Sequence, residues 1–96
     1  MTLSQRIDSQ RRAIRELATR YRAANPRVFG SVLHGTATAH SDIDILVDTQ
    51  PGATLFDLGG LQMDLQELLG APIDLLTPND ISPRFRAKVL AEAQPI

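Results

Sequence analysis

The sequence predicts a single small α/β domain spanning 1–96, with helices and strands in the order αβ(α)βαβα. Three observations carry that reading. Leu3, Ile7, Ile14, Leu17 and Tyr21 recur at helical spacings near the N-terminus. Ile43, Ile45 and Val47 alternate with Asp42, Asp44, Leu46 and Asp48, which is the period of a strand. Leu55, Leu58, Leu61, Leu65, Leu68 and Leu69 then mark a second amphipathic helix.

The elements follow in order. The first helix runs from about Ser4 to Ala24 and ends before Asn25-Pro26. Arg27-Val28-Phe29 is short and β-prone, a first strand running into Gly30. Residues 32–40 read as a turn or a short helix. The strand around Ile43 to Val47 is closed by a turn signal, Asp48-Thr49-Gln50-Pro51-Gly52. Gly70 is the expected stop of the leucine-rich helix, although Gly59-Gly60 weakens its first turn. Ile73-Asp74-Leu75-Leu76 is a third strand. Ser82 is placed to cap a last helix, with Pro83 at its first position and Phe85, Val89 and Leu90 on its apolar side. Gln94-Pro95-Ile96 reads as a short edge strand or a frayed end, so the sheet has three to four strands.

Composition narrows the function classes. A chain of 96 residues buries only about 60–65% of its unfolded surface, so the core must be economical. No apolar run approaches the roughly 18 residues of a membrane span, and the N-terminus lacks the apolar segment of a secretion signal. The expectation is a cytoplasmic protein without membrane contact. There is no cysteine, which removes disulfides and zinc–thiolate sites. The net charge of −1 hides a segregation: Arg6, Arg11, Arg12, Arg15, Arg20, Arg22 and Arg27 precede residue 28, and Arg84, Arg86 and Lys88 follow residue 83. The acidic middle has no cation of its own, so a phosphate there needs bound metal. The arginines of the first helix read either as a solvated face or as a docking surface for an acidic partner. Nucleic-acid binding ranks last, because the net charge is slightly negative and one Tyr, three Phe and no Trp leave little to stack on bases.

The chemistry concentrates in one stretch. Gly30-Ser31 follows an apolar run, and Asp42-Ile43-Asp44 opens the next after ten residues. Glycine permits a tight turn close to a ligand, and serine adds a small hydroxyl beside backbone N–H groups able to hold phosphate. Asp42 and Asp44, two strand steps apart, should point to one face with Cα atoms about 6.6 Å apart. Carboxylates so spaced can share divalent cations, as in two-metal phosphoryl transfer. Taken alone, an Asp-x-Asp is more often a solvent-facing strand pair, and a lone Gly-Ser an ordinary turn. Asp74 occupies the matching position of the third strand. If the second and third strands are neighbours, it lands beside Asp44 and could support a metal, orient an acceptor hydroxyl or accept its proton.

Gly-Ser, ten residues and Asp-x-Asp, with a later strand Asp, resembles the signature of the minimal nucleotidyltransferase (MNT) domain of the polymerase-beta-like superfamily. The resemblance covers nearly the whole chain. It implies a small mixed β-sheet flanked by helices, ATP as substrate and magnesium, two ions, as cofactor. It assigns Asp42, Asp44 and Asp74 to metal binding and catalysis, and Gly30, Ser31, His34 and Ser41 to the nucleotide. It further implies transfer of AMP to a hydroxyl, a tyrosine, of a HEPN-type toxin in a hetero-oligomer, with this chain as antitoxin. A chain this short has no room for an acceptor-holding second domain, so the acceptor surface should come from that partner. One position departs from the family pattern. Relatives often carry arginine where His34 stands, and losing that cation weakens phosphate binding by roughly 1–2 kcal/mol. The alternative is therefore an antitoxin that neutralises its partner by binding, with weak or no catalysis. His40 reads as an exposed turn residue.

Overall fold

The computed structural model describes residues 1–38 and 40–96 of the chain. Residue 39, within the expected 32–40 turn, lies outside the described residues. The elements are α1 (Leu3–Ser9), α2 (Arg11–Arg20), β1 (Ala23–Phe29), α3 (Gly30–His34), β2 (Ile43–Thr49), α4 (Leu55–Leu69), β3 (Ile73–Leu76), α5 (Pro83–Glu92) and β4 (Gln94–Pro95), with a 3-10 turn over Pro78–Asp80. The sheet is mixed, in the order β3-β2-β1-β4. β2 and β3 run parallel, whereas β1 is antiparallel to both β2 and β4.

One face of the sheet carries the main core. Ile43, Ile45, Val47 and Ile73 pack with Leu3, Ile7, Ile14 and Ala18 of the first two helices and Leu61, Leu65 and Leu69 of α4. Alternation sends Asp44, Leu46, Asp74 and Leu76 to the other face. Leu46 is fully buried there even so, outside the main cluster, because the 3-10 turn after β3 folds back over β2. Ile81 is buried just beyond that turn.

The first helix differs from expectation. It is broken at Gln10 (φ −121°, ψ 17°), whose N–H bonds Ile7 O and whose carbonyl accepts from Ile14 N. The apolar stripe has a gap at positions 10–11, so no buried side chain enforces a straight continuation there. The break lets Arg11 bond Asp8 at 2.6 Å and the Pro95 carbonyl at 3.1 Å. The helix also stops at Arg20 rather than near Ala24, because Arg22 takes a left-handed backbone (φ 58°). Strand pairing then begins earlier than predicted, with Ala23 opposite Thr49. Ala23-Ala24-Asn25-Pro26 conceals this strand from a propensity reading. A bulge between Ala24 and Arg27, with Asn25 at φ 52°, accommodates the proline.

Other elements lie where the sequence places them. Thr54 and Asp57 form a capping box on α4, and Gly70 (φ 65°) ends it. Gly60 does not break α4: its bare Cα lets the Tyr21 ring approach, and an added Cβ would sit 2.6 Å from Tyr21 Cε1. Two details of α5 differ. Ser82 sits at its N-cap without a side-chain cap bond, and its carbonyl instead accepts from Phe85 and Arg86 N–H. Its apolar side is only half-buried at Val89 and exposed at Phe85 and Leu90, and no residue of α5 is fully buried.

Candidate functional site

The candidate site lies where β1 turns into α3 against the starts of β2 and β3. Gly30 has φ 72°, a conformation that disfavours side-chain-bearing residues. A Cβ added there would overlap the Asp44 carboxylate. Glycine is thus required twice, by the backbone and by Asp44. The Ser31 backbone N–H donates a hydrogen bond to that carboxylate. The Ser31 carbonyl is engaged behind it by Thr36 N at 3.0 Å.

Register brings the second acid alongside. Asp44 pairs directly with Asp74 across the parallel β2–β3 ladder, the juxtaposition expected if those strands were neighbours. Asp74 is exposed and Asp44 half-buried. The Asp44 pKa is raised above the usual carboxylate value by burial first, then by the charges of Asp74 and Asp42 and a hydrogen bond shared with Asp74, with the Ser31 N–H opposing. Asp42 is exposed and stands one residue before β2 rather than within it. The sequence-based expectation that strand alternation sets its direction together with that of Asp44 therefore does not apply, because Asp42 precedes the strand.

The remaining candidates are placed differently. The Ser41 hydroxyl accepts from Thr38 N at 2.9 Å and closes the loop leading to Asp42. His34, at the end of α3, has Nε2 3.3 Å from Glu92 Oε2 of α5. His40 is exposed, as read from the sequence. Glu92 gives no local sequence signal for its contact, because the partners are far apart in the chain. Among the described residues, no three His, Asp or Glu side chains are gathered closely enough to enclose an ion. The donor chemistry nevertheless suits a hard divalent cation. Oxygen ligands crowd around a half-buried Asp44 whose ionised form is disfavoured, and a cation would relieve that repulsion.

The arginines of the N-terminal segment divide: Arg12 and Arg20 remain on a solvated face, whereas others hold main-chain carbonyls or an acid. Arg6 bonds the Leu69 and Gly70 carbonyls at the end of α4. Arg11 and Arg15 bond the Pro95 and Ile96 carbonyls, and Arg22 bonds Gly52 O. Arg27 pairs with Asp48 at 3.2 Å. These bonds tie together segments far apart in the chain, among the described residues.

The sequence profile of the nucleotidyltransferase domain matches residues 10–96. The chain belongs to the nucleotidyltransferase domain family. Among curated members it is 36% identical, over 91% of its length and 94% of the relative's, to an inferred protein adenylyltransferase of Methanocaldococcus jannaschii. It is 35% identical to the protein adenylyltransferase MntA of Thermococcus cleftensis, over 81% of this chain and 79% of that one. A solved structure described as an inferred minimal nucleotidyltransferase superposes with a TM-score of 0.88 at 40% identity, covering 100% of this chain and 97% of that one. A toxin–antitoxin structure with AMP-PNP shares the fold at a TM-score of 0.69 and 21% identity, over 96% of this chain and 70% of that one. The nucleotidyltransferase fold and enzyme class expected from Gly30-Ser31 and Asp42-Ile43-Asp44 are thus those of this chain. No helix is long and apolar enough to cross a membrane among the described residues.

Proposed function

We propose that this nucleotidyltransferase transfers AMP from ATP to a tyrosine hydroxyl of a HEPN-type toxin, with Mg2+ as cofactor, and so acts as an antitoxin. The observation that carries the reading is the Gly30-Ser31 turn seated on Asp44, with Asp74 in register beside it. The names of two relatives as protein adenylyltransferases and the toxin–antitoxin setting of a structure with the same fold support it.

In this reading Asp42 and Asp44, with Asp74, hold the divalent ion. When bound, magnesium would neutralise charge on the phosphates. The Gly30–Ser31 backbone and the Ser31 hydroxyl cradle the outer phosphates. Ser41 shapes the loop that sets Asp42. Asp74, exposed at the rim, accepts the proton of the acceptor hydroxyl. The acceptor oxygen bonds the α-phosphorus, the bond from that phosphorus to the bridging oxygen breaks, and pyrophosphate leaves. The protein is cytoplasmic and works as one domain of 1–96 in complex with its acceptor.

The pairing of His34 with Glu92 favours a second reading, neutralisation by complex formation with weak catalysis, since that imidazole is turned to α5. Incubation with α-labelled ATP, Mg2+ and the purified product of the adjacent gene separates the two. Label on that protein, lost in Asp42→Asn, supports transfer. Neutralisation that survives Asp44→Asn without any label supports binding alone.

A further inference from the structure

We propose that α5 is the docking platform for the protein acceptor, and that it receives an apolar side chain flanked by carboxylates. The inference rests on the transferase reading above and adds where the acceptor is held. A ten-residue helix is marginal alone in water and normally persists by burying one face. α5 buries none of its residues: Phe85 is 54% exposed and Leu90 41% exposed. It is held by polar ties instead. Arg86 Nε bonds Pro78 O at 2.7 Å and Nη2 bonds Ile81 O at 3.0 Å, and Glu92 meets His34 at the other end. The helix is thereby fixed in place with Val89 half-buried and Phe85 and Leu90 left exposed.

Charge selects the partner. Arg84 and Lys88 are exposed on α5, and the Arg84 guanidinium lies 5.6 Å from the Phe85 ring centroid. No other Lys or Arg occurs after residue 27 apart from Arg86. The helix is therefore an apolar and cationic strip in an otherwise acidic half of the chain, complementary to an acidic, apolar segment. Its position also fits. α5 follows the strand that carries Asp74 and is tied through His34 to the helix that begins with Gly30-Ser31. A protein seated on it lies beside the transfer centre. Leu55, Phe56 and Met63 of α4 are more exposed still, but α4 packs on the opposite face of the sheet and its charged residues, Asp57, Asp64 and Glu67, are all acidic. That helix serves as the control.

The test uses the full chain and the purified adjacent-gene product, with binding measured by calorimetry and transfer measured with labelled ATP. Phe85→Ser should weaken the complex by about tenfold or more. Lys88→Glu should weaken it in a salt-dependent way, and Met63→Ser should leave it unchanged. ATP binding with Mg2+ and the circular-dichroism melt should be unaltered in all three. In Phe85→Ser the acceptor KM should rise while kcat at saturating acceptor is kept. Unchanged acceptor affinity in both α5 variants overturns the proposal, as does loss confined to Met63→Ser, self-association of the wild type through Phe85, or failure of the wild type to bind the acceptor. An intact α5-dependent complex without label transfer would instead refute the transferase reading and leave the docking assignment standing.

Discussion

At Gly30 two demands meet on one atom. A side chain there strains a left-handed backbone by about 1–2 kcal/mol and also displaces Asp44. Gly30→Ala should therefore lower the melting temperature and abolish label transfer together. Asp44 behaves in the opposite sense. Its pKa is raised from 3.8 in the folded chain, so its contribution to stability is full below that value and is lost as pH rises through the folded value. Asp44→Asn should raise the melting temperature at neutral pH in the absence of divalent cations, and the gain should vanish as the pH is brought below 3.8. A variant less stable than wild type at pH 7 without metal would refute this account. Asp48 is the mirror case, its pKa lowered by hydrogen bonds from Arg27 and Asn25, so its contribution is present above 3.8 and lost as pH falls through the folded value. The Asp-x-Asp pattern was visible in the sequence, yet the crowding that shifts Asp44 depends on Asp74, 30 positions later in the chain.

Elements in this chain are secured as much by their ends as by their faces. Arg6 satisfies two carbonyls at the end of α4 that have no partner within the helix. Arg6→Ala should cost about 1–2 kcal/mol in urea unfolding, whereas Arg12→Ala, which loses only an exposed pair with Glu16, should cost well under 1 kcal/mol. Tyr21 fixes α2 to α4 through a 2.5 Å bond from its hydroxyl to Asp64 Oδ2. Tyr21→Phe should cost about 1 kcal/mol by the same measurement. Leu55–Leu69 and Ile73–Leu76 were legible because their period and end residues agree with their fold. The break at Gln10 and the strand start at Ala23 were not. Arg22 and Asn25 adopt positive φ, which asparagine tolerates readily but for which Arg22 gives no local signal.

Across the whole molecule, the sheet supplies stability on one face and chemistry on the other. Leu65 lies fully in the core, and Leu65→Ala should destabilise the chain by about 2–5 kcal/mol without any specific effect on nucleotide binding. An ion that binds only the folded state stabilises it by about 2.7 kcal/mol at one hundred times its Kd. Mg2+ titration should therefore raise the melting temperature by on the order of 10 °C, an effect removed by chelation and absent in Asp42→Asn. A wild-type melt indifferent to Mg2+ would count against these acids as ligands.

By itself the sequence determined the family signature, most of the elements and the residue types available for transfer chemistry, because strand period, capping residues and glycine placement act over a few positions. Tertiary structure decided which acids meet, by setting β2 and β3 side by side in register at Asp44 and Asp74. It also committed Arg6, Arg11, Arg15 and Arg22 to main-chain carbonyls, turned His34 to Glu92 and left Phe85 and Leu90 of α5 exposed. Those outcomes depend on contacts between residues far apart in the chain, whose energies no local pattern encodes.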